Sequence, residues 1–313
     1  MELIRGIHNL RARHRGCVVT TGAFDGVHRG HQAVLAHLKR EGKRLGLPAV
    51  VIIFEPLPRE YFQPLEAPPR ILNFREKILA LADQGIDRVL CLKFDPALQT
   101  MTAKAFTERI FVEGLGARYI VLGDDFRFGQ SREGSLQYLL SQRDAYGFDA
   151  VPTDTVALEG ERVSSTRIRG ALEQGDFALA EDLLGRPFTM GGRVVYGKQL
   201  GQTLGSPTAN IALNRLRSPL RGVFAVTVTG AGLRDAPGIA NVGVRPTVDD
   251  SIRANLEVHV LDINRPLYGR RLSVRFLHKM RDEQKFESIE ALRAHILADI
   301  DSARAWHLAH PTS

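Results

Sequence analysis

Over the first half of the chain, short apolar runs alternate with amphipathic stretches. Cys17–Thr21, Ala49–Phe54, Arg88–Leu92, Tyr119–Leu122 and Phe148–Val151 are continuous and rich in β-branched residues, which predicts strands buried on both faces. Between them, His31–Leu45 sets Val34, Leu35 and Leu38 on one helical face, and Phe74–Gln84 does the same with Ile78, Leu79 and Leu81. Strand and helix in alternation predict βαβ units on a parallel sheet, and in such sheets ligands bind at the loops that follow the strands. Two short helical patterns follow, Thr166–Glu173 and Asp176–Leu184, and the pattern changes at Gly185-Arg186-Pro187. Beyond it come short β-branched runs separated by Gly, Pro and Asn turns: Gly192–Tyr196, Val223–Thr229, Ile239–Val242, Leu256–Leu261 and Leu272–Leu277. These predict a small barrel or sandwich. The last element is an amphipathic helix, Ser288–Trp306, with Ile289, Leu292, Ile296, Ile300 and Ala303 on its apolar face. The expected organisation is an α/β domain over residues 1–185 and a mainly β domain with a C-terminal helix over 186–313.

The chain has 313 residues, 44% of them hydrophobic and 25% charged, which suits two folded domains and excludes disordered or fibrous classes. Its net charge of +7 invites anionic partners: nucleotides, nucleic acid or acidic lipid. That excess is uneven. Lys+Arg and Asp+Glu stand at 24 each up to Gly185, and at 18 against 11 from Arg186 onward. Nucleic-acid binding calls for massed basic residues with interleaved aromatics, whereas these arginines are scattered singly. Two cysteines, Cys17 and Cys91, are too few for a disulfide scaffold and fit a reducing compartment. Residues 1–16 carry no signal-peptide core, and no run approaches the roughly 18 apolar residues a membrane span needs. The expectation is a cytoplasmic protein, off the membrane, with oligomeric state left open.

Thr20–His31 reads TTGAFDGVHRGH and joins the first strand to the first helix. Gly22, Gly26 and Gly30 let the backbone approach a phosphate, and the helix start supplies N–H groups. His28 and His31, three apart, are neighbours on one turn and can donate to phosphoryl oxygens; alone they read more readily as exposed histidines in a glycine turn. A zinc site would need a third ligand at sensible spacing, and none is present. Glu161–Arg169 (ERVSSTRIR) offers hydroxyls and guanidinium forks for a polyphosphate, or an ordinary helix cap. Phe54–Phe62 (FEPLPREYF) and Gly123–Gly129 (GDDFRFG) place prolines and aromatics at strand ends, suited to a flat ligand or to plain core packing. Gly192–Asn210 (GRVVYGKQLGQTLGSPTAN) is a strand leading into a glycine-rich loop, without the spacing of a P-loop, and then Pro207-Thr208-Ala209-Asn210; a Thr hydroxyl and an Asn carbonyl there are hard donors for Mg²⁺. Glu257 sits in an apolar strand, where a carboxylate needs a task, a partner or an outward position.

Taken together, these strings carry a resemblance. The strand-turn-helix string ending in HRGH, with VSSTRIR, resembles the H-x-G-H nucleotidyltransferases, which are Rossmann-like proteins. FEPLP and GDDFRFG narrow this to the adenylyltransferase module of the bacterial bifunctional riboflavin kinase/FAD synthetases. PTAN, Gly238–Val248 (GIANVGVRPTV), Leu256–His259, Leu267-Tyr268-Gly269 and Met280–Phe286 (MRDEQKF) resemble their riboflavin kinase barrel in the same order.

The resemblance implies that ATP and riboflavin give FMN and ADP on the C-terminal domain, and that ATP and FMN then give FAD and diphosphate on the N-terminal one. It assigns Glu257 as the kinase base and Thr208 and Asn210 to Mg²⁺. It gives adenylyl transfer to His28, His31, Arg162 and Ser165. ATP is implied at Gly22, Phe24, Gly26, Gly30, Thr166, Arg169, Gly197, Gly201 and Gly205, and flavin at Pro56, Pro58, Phe62, Asp125, Phe128 and Arg281. The chain departs from the common pattern at Ala23, Leu57, Asp125, Gln202 and Ser206, so Leu57 offers no third histidine. Rival readings are a riboflavin kinase whose N-terminal domain only supports it, an adenylyltransferase for another mononucleotide, and a nucleic-acid-binding protein.

Overall fold

The computed structural model describes residues 1–123, 126–196, 208–246, 252–263, 265–284 and 286–311. By contacts the chain divides into two compact units, one of Met1–Ala67 with Phe74–Ser164, the other of Pro68–Asn73 with Ser165–Ser313.

The first unit is a six-stranded, fully parallel sheet. Its strands are β1 (Glu2–Arg5), β2 (Cys17–Thr21), β3 (Ala49–Glu55), β4 (Arg88–Lys93), β5 (Ala117–Leu122) and β6 (Asp149–Pro152), in the order β1-β4-β3-β2-β5-β6. The five predicted strands are present, each within two residues of its expected ends. β1, which was not anticipated, is a short edge strand with one buried residue. The chain winds outward from β2 through β3 to β4, then returns to β5 on the other side of β2. The sheet therefore reverses direction beside β2, and the loop leaving β2 lies at the switch point where such sheets bind ligands. That loop leads into helix α1 (Arg29–Leu45), followed by α2 (Pro58–Phe62), α3 (Phe74–Asp83), α4 (Pro96–Gln99), α5 (Ala103–Phe106) and α6 (Leu136–Tyr146). In α1, Leu35 and Leu38 are buried as expected. In α3 the expected face is corrected: Leu79 is 51% exposed, while Lys77 joins Leu81 at 0%. Lys77 and Leu81 are one helical turn apart and share the inward face. A small hairpin of β7 (Ala157–Leu158) and β8 (Glu161–Arg162) closes this unit's part of the sequence.

The second unit is a closed antiparallel barrel. Its strands are β9 (Thr189–Val195), β10 (Ala209–Ala212), β11 (Gly222–Gly230), β12 (Leu233–Pro246), β13 (Ile252–Val260) and β14 (Arg271–Arg281), in the order β10-β13-β12-β11-β14-β9. The residues after PTAN's threonine, read from the sequence as part of a loop, form β10, paired on both edges. Leu256, Val258 and Val260 of β13 are buried inside the barrel, so Glu257 between them faces outward. Helices α7 (Ser165–Gln174) and α8 (Phe177–Leu184) belong to this unit, Phe177 setting its ring 5.9 Å from Phe224 and 6.1 Å from Phe276. The final helix, α9 (Ile289–Ala309), lays the fully buried Ala303 and the partly buried Ile300 against Val223 and Ile239 on the outer face of β11 and β12.

Candidate functional site

In the first unit the loop between β2 and α1 is held by its own side chains. Gly26 has φ 90°, in the region favouring glycine, and the non-glycine residues Phe24 and Val27 have φ 46° and 42°. Such strained backbone persists where the surroundings over-determine it, a frequent property of functional loops. His28 caps α1: its Nδ1 accepts from the backbone N–H of His31 at 3.3 Å, which leaves any donated N–H on Nε2. The predicted helix start at His31 therefore moves to Arg29, with His28 as the cap rather than an exposed residue (6% exposed). The two imidazoles stack at 3.7 Å between centroids and 20° between planes, and Phe24 lies 4.9 Å from the His31 ring. His31 Nδ1 and Thr21 Oγ1 are buried with no hydrogen-bond partner among the described residues. Burial, then the nearby His28 and Lys77, hold His31 well below the usual histidine range, so its ring is neutral at pH 7. Beneath the loop the wholly buried Lys77 donates from Nζ to the Ala23 carbonyl at 2.7 Å. The loop thus sets a neutral His31 ring, stacked on His28, and turn amides above the buried Lys77, chemistry that suits phosphate oxygens. Lys77 was missed in the sequence, where a lysine in an amphipathic helix reads as exposed.

The other sequence-predicted residues of this unit are spread over its strand ends. Pro56 and Pro58 flank Leu57, whose N–H is bound by the Glu60 carboxylate at 3.1 Å at the start of α2. Phe62 is 55% exposed, edge-on to Tyr61 and Phe94. Phe128 is buried in a cluster with Phe106, Phe111, Phe126 and Tyr138, its ring stacked 5.9 Å from Phe126. Arg162 is exposed on β8. In the second unit Ser165 begins α7, Thr166 is exposed, and Arg169 donates from Nε to the Pro69 carbonyl at 2.7 Å. Asp125, Gly197, Gly201 and Gly205, with Gln202 and Ser206, lie outside the described residues.

On the barrel, strand register assembles a second group that no local string displays. Asn210 of β10 pairs with Glu257 of β13, which pairs with Asn241 of β12, which pairs with Val223 of β11. Paired residues share a face, so the three polar side chains form one outward row across adjacent strands. Asn255, two residues from Glu257 on the same face, donates from Nδ2 to Glu257 Oε1 at 2.9 Å and fixes that oxygen. Asn210 Oδ1 and Asn241 Oδ1 are buried without a hydrogen-bond partner among the described residues. A buried, unpaired carbonyl oxygen is unstable as it stands and suits a donor or a hard cation. Among the described residues no group of three His, Cys, Asp or Glu could hold a metal, so the donors at hand are these oxygens. Arg281 is bound to α9: Nε lies 2.9 Å and Nη2 2.6 Å from the Asp299 carboxylate, and Nη1 donates to the Asp282 carbonyl.

Comparison with known proteins matches two families in tandem along the chain. The family model of FAD synthetase matches residues 10–167 and that of riboflavin kinase matches residues 184–307. The bifunctional riboflavin kinase/FMN adenylyltransferase of Pseudomonas fluorescens is 51% identical over 100% of this chain and 99% of its own. The enzyme of the same description from Escherichia coli (strain K12) is 49% identical over 97% of each. A crystal structure from Streptococcus pneumoniae, titled macrolide-efflux protein, is 30% identical with a TM-score of 0.78, covering 98% of this chain and 100% of that one. The efflux role in that title belongs to that protein; among the described residues of this chain no helix is long and apolar enough to cross a membrane. With both family models matched in tandem and full-length relatives at about half identity, the chain belongs to the bifunctional riboflavin kinase/FMN adenylyltransferase family.

Proposed function

We propose that the outward row on the barrel carries the kinase step and that the loop between β2 and α1 carries adenylyl transfer, within domains spanning 186–313 and 1–185. In the first step the terminal hydroxyl of riboflavin loses its proton to Glu257, its oxygen attacks the γ-phosphorus of ATP, and ADP leaves. Asn210, with its unpaired buried oxygen, and Thr208, two residues before it, would hold Mg²⁺; the cation would neutralise phosphate charge as the bond to ADP breaks. Gly197, Gly201 and Gly205 supply backbone amides to that ATP. Arg281 serves the flavin by clamping α9 through Asp299.

In the second step the FMN phosphate is already an anion, so no base is needed. One of its oxygens attacks the α-phosphorus of a second ATP and diphosphate leaves. His28, His31 and the amides of Gly22, Gly26 and Gly30, beside Phe24, stabilise the charge that gathers on the transferring phosphoryl group. Arg162, Ser165, Thr166 and Arg169 bind the triphosphate. Pro56, Pro58, Phe62, Asp125 and Phe128 receive the flavin. Its anionic partners are therefore small nucleotides rather than nucleic acid or membrane lipid, and two free, buried cysteines accord with a reducing cytoplasm.

The observation that carries this reading is the row Asn210–Glu257–Asn241, which brings a base and unpaired hard oxygens together from three strands. The test follows FMN and FAD over time from riboflavin, ATP and Mg²⁺. Glu257→Gln abolishes FMN formation yet still converts supplied FMN to FAD. His28→Ala with His31→Ala does the reverse. FAD output that survives loss of both histidines refutes the first site, and FMN output that survives Glu257→Gln refutes the second.

A further inference from the structure

We propose that Asn241 binds the polyol tail of the flavin substrate, its Oδ1 accepting a hydrogen bond from a ribityl hydroxyl and so presenting the terminal hydroxyl to Glu257. The inference rests on the reading of Glu257 as the base of the kinase site.

Asn241 and Asn210 flank Glu257 on either side, each one strand away. Both end in a buried carbonyl oxygen that has no partner among the described residues. Such an oxygen repels phosphate and calls for an N–H, an O–H or a cation. One cation cannot serve both, because the two asparagines are separated by two strand spacings, about 10 Å, whereas Mg²⁺ takes its ligands at about 2 Å.

The two flanks also differ in character. Asn210 lies two residues from the Thr208 hydroxyl, which makes its side the polar one. On the other side the row runs from Asn241 to Val223, and Ile239, next along the same face of β12, packs with Val223, Ala303 and Ile300. These apolar side chains are covered by α9, Val223 being 5% and Ile239 7% exposed, so the surroundings of Asn241 on this flank are apolar, which does not suit a hydrated cation with a triphosphate and leaves its oxygen to a neutral O–H. The ligand assigned to Asn241 is therefore the alcohol of the reaction, and that assigned to Asn210 is the metal and its nucleotide.

The test uses the full chain with three variants, Asn241→Leu, Asn241→Asp and Glu257→Gln, each shown to be folded by unaltered conversion of supplied FMN to FAD. Loss of one neutral hydrogen bond in Asn241→Leu is expected to raise the riboflavin KM about tenfold. The ATP KM should change less than about twofold, and the affinity for lumiflavin, which has the ring but no ribityl chain, should hold. Asn241→Asp has the same shape and remains an acceptor, so its riboflavin KM stays closer to that of the parent than the Leu variant's does, its added charge falling on kcat by repelling the γ-phosphate. The inference is overturned if Asn241→Leu leaves riboflavin kinetics unchanged, if it raises the ATP KM instead, if lumiflavin binding falls in the same proportion, or if the Asp variant fares as badly as Leu. Glu257→Gln separates the two failures. An inactive Glu257→Gln beside a normal Asn241→Leu refutes this inference alone, and an active Glu257→Gln refutes the site reading beneath it.

Discussion

Acidification should loosen the first unit through one ring. His31 is held well below the ordinary histidine value, chiefly by burial and then by His28 and Lys77, so the folded protein refuses a proton that the unfolded chain accepts near pH 6.5. A histidine with a depressed folded pKa contributes stability that is fully present above the unfolded value and is lost as pH falls below it. Between pH 7.5 and 5.5, with the folded ring still neutral, the loss amounts to about 1.4 kcal/mol. At a urea dependence of about 2 kcal/mol per molar, that moves the midpoint by about 0.7 M. The comparison is between the parent chain and His31→Gln at the two pH values, following hydrogen-exchange protection of the β2 and β3 amides in urea. The lone Trp306, on α9 of the other unit, gives a fluorescence transition whose pH dependence should be the same in both proteins. His31→Gln should lack the 1.4 kcal/mol component. An NMR titration of the His31 ring supplies the direct check. A ring that titrates at or above 6.5, or an equal acid loss in both proteins, refutes the argument, and with it the claim that His31 meets phosphate as a neutral donor.

Lys77→Met removes the donor from the Ala23 carbonyl and the cation from beside His31; it should destabilise the first unit by about 1–3 kcal/mol and move the His31 titration upward, both readable in the same NMR experiment. Gly30→Ala places a methyl 3.2 Å from the His28 ring and 3.4 Å from the Val163 carbonyl; a cap pushed aside by tenths of an ångström should cut FAD formation about 10- to 100-fold and leave FMN formation unchanged in a coupled assay. Asp299→Asn breaks a two-pronged contact between side chains about one-fifth exposed, which should cost about 1.5–3 kcal/mol in the Trp306-reported transition and raise the riboflavin KM. Burial pushes the Cys17 thiol up to about 12, so a disulfide reagent at pH 8 should leave it unlabelled until the chain is unfolded.

What could be read in the sequence followed what each element buries. Strands covered on both faces are continuous apolar runs, and Cys17–Thr21 was legible to the residue because all five positions are buried. β1 was not, since an edge strand with one buried side chain leaves no periodicity to read. β10 was hidden because a proline and a glycine-rich string precede it and read as loop, while what makes it a strand is pairing with β9 and β13, remote in sequence. The same distance explains the site. HRGH is compact in sequence because a helix terminus brings His28 and His31 together within one turn. The role proposed for Asn241 has no signature in the sequence because it comes from register with Glu257 and Asn210 on two other strands. Arg281 was read as a flavin residue from its string, but its carboxylate partner, Asp299, lies 18 residues further on, on a different element.

The two steps ask opposite things of their residues, and the two groups differ accordingly. A ribityl hydroxyl has to lose a proton as it attacks, and on the proposed reading the barrel answers with Glu257, whose one oxygen is fixed by Asn255 and whose neighbours in the row are uncharged amides, which neither repel the approaching γ-phosphate as carboxylates would nor capture it as a lysine would. The FMN phosphate has no proton to lose, and the loop after β2 offers the stacked pair His28 and His31, the His31 ring held neutral chiefly by burial, with Lys77 set beneath the turn. A charged His31 in contact with the triphosphate would bind reactants and diphosphate alike. A neutral one gains most when charge rises on the phosphoryl group in transit, and that difference is what accelerates a reaction.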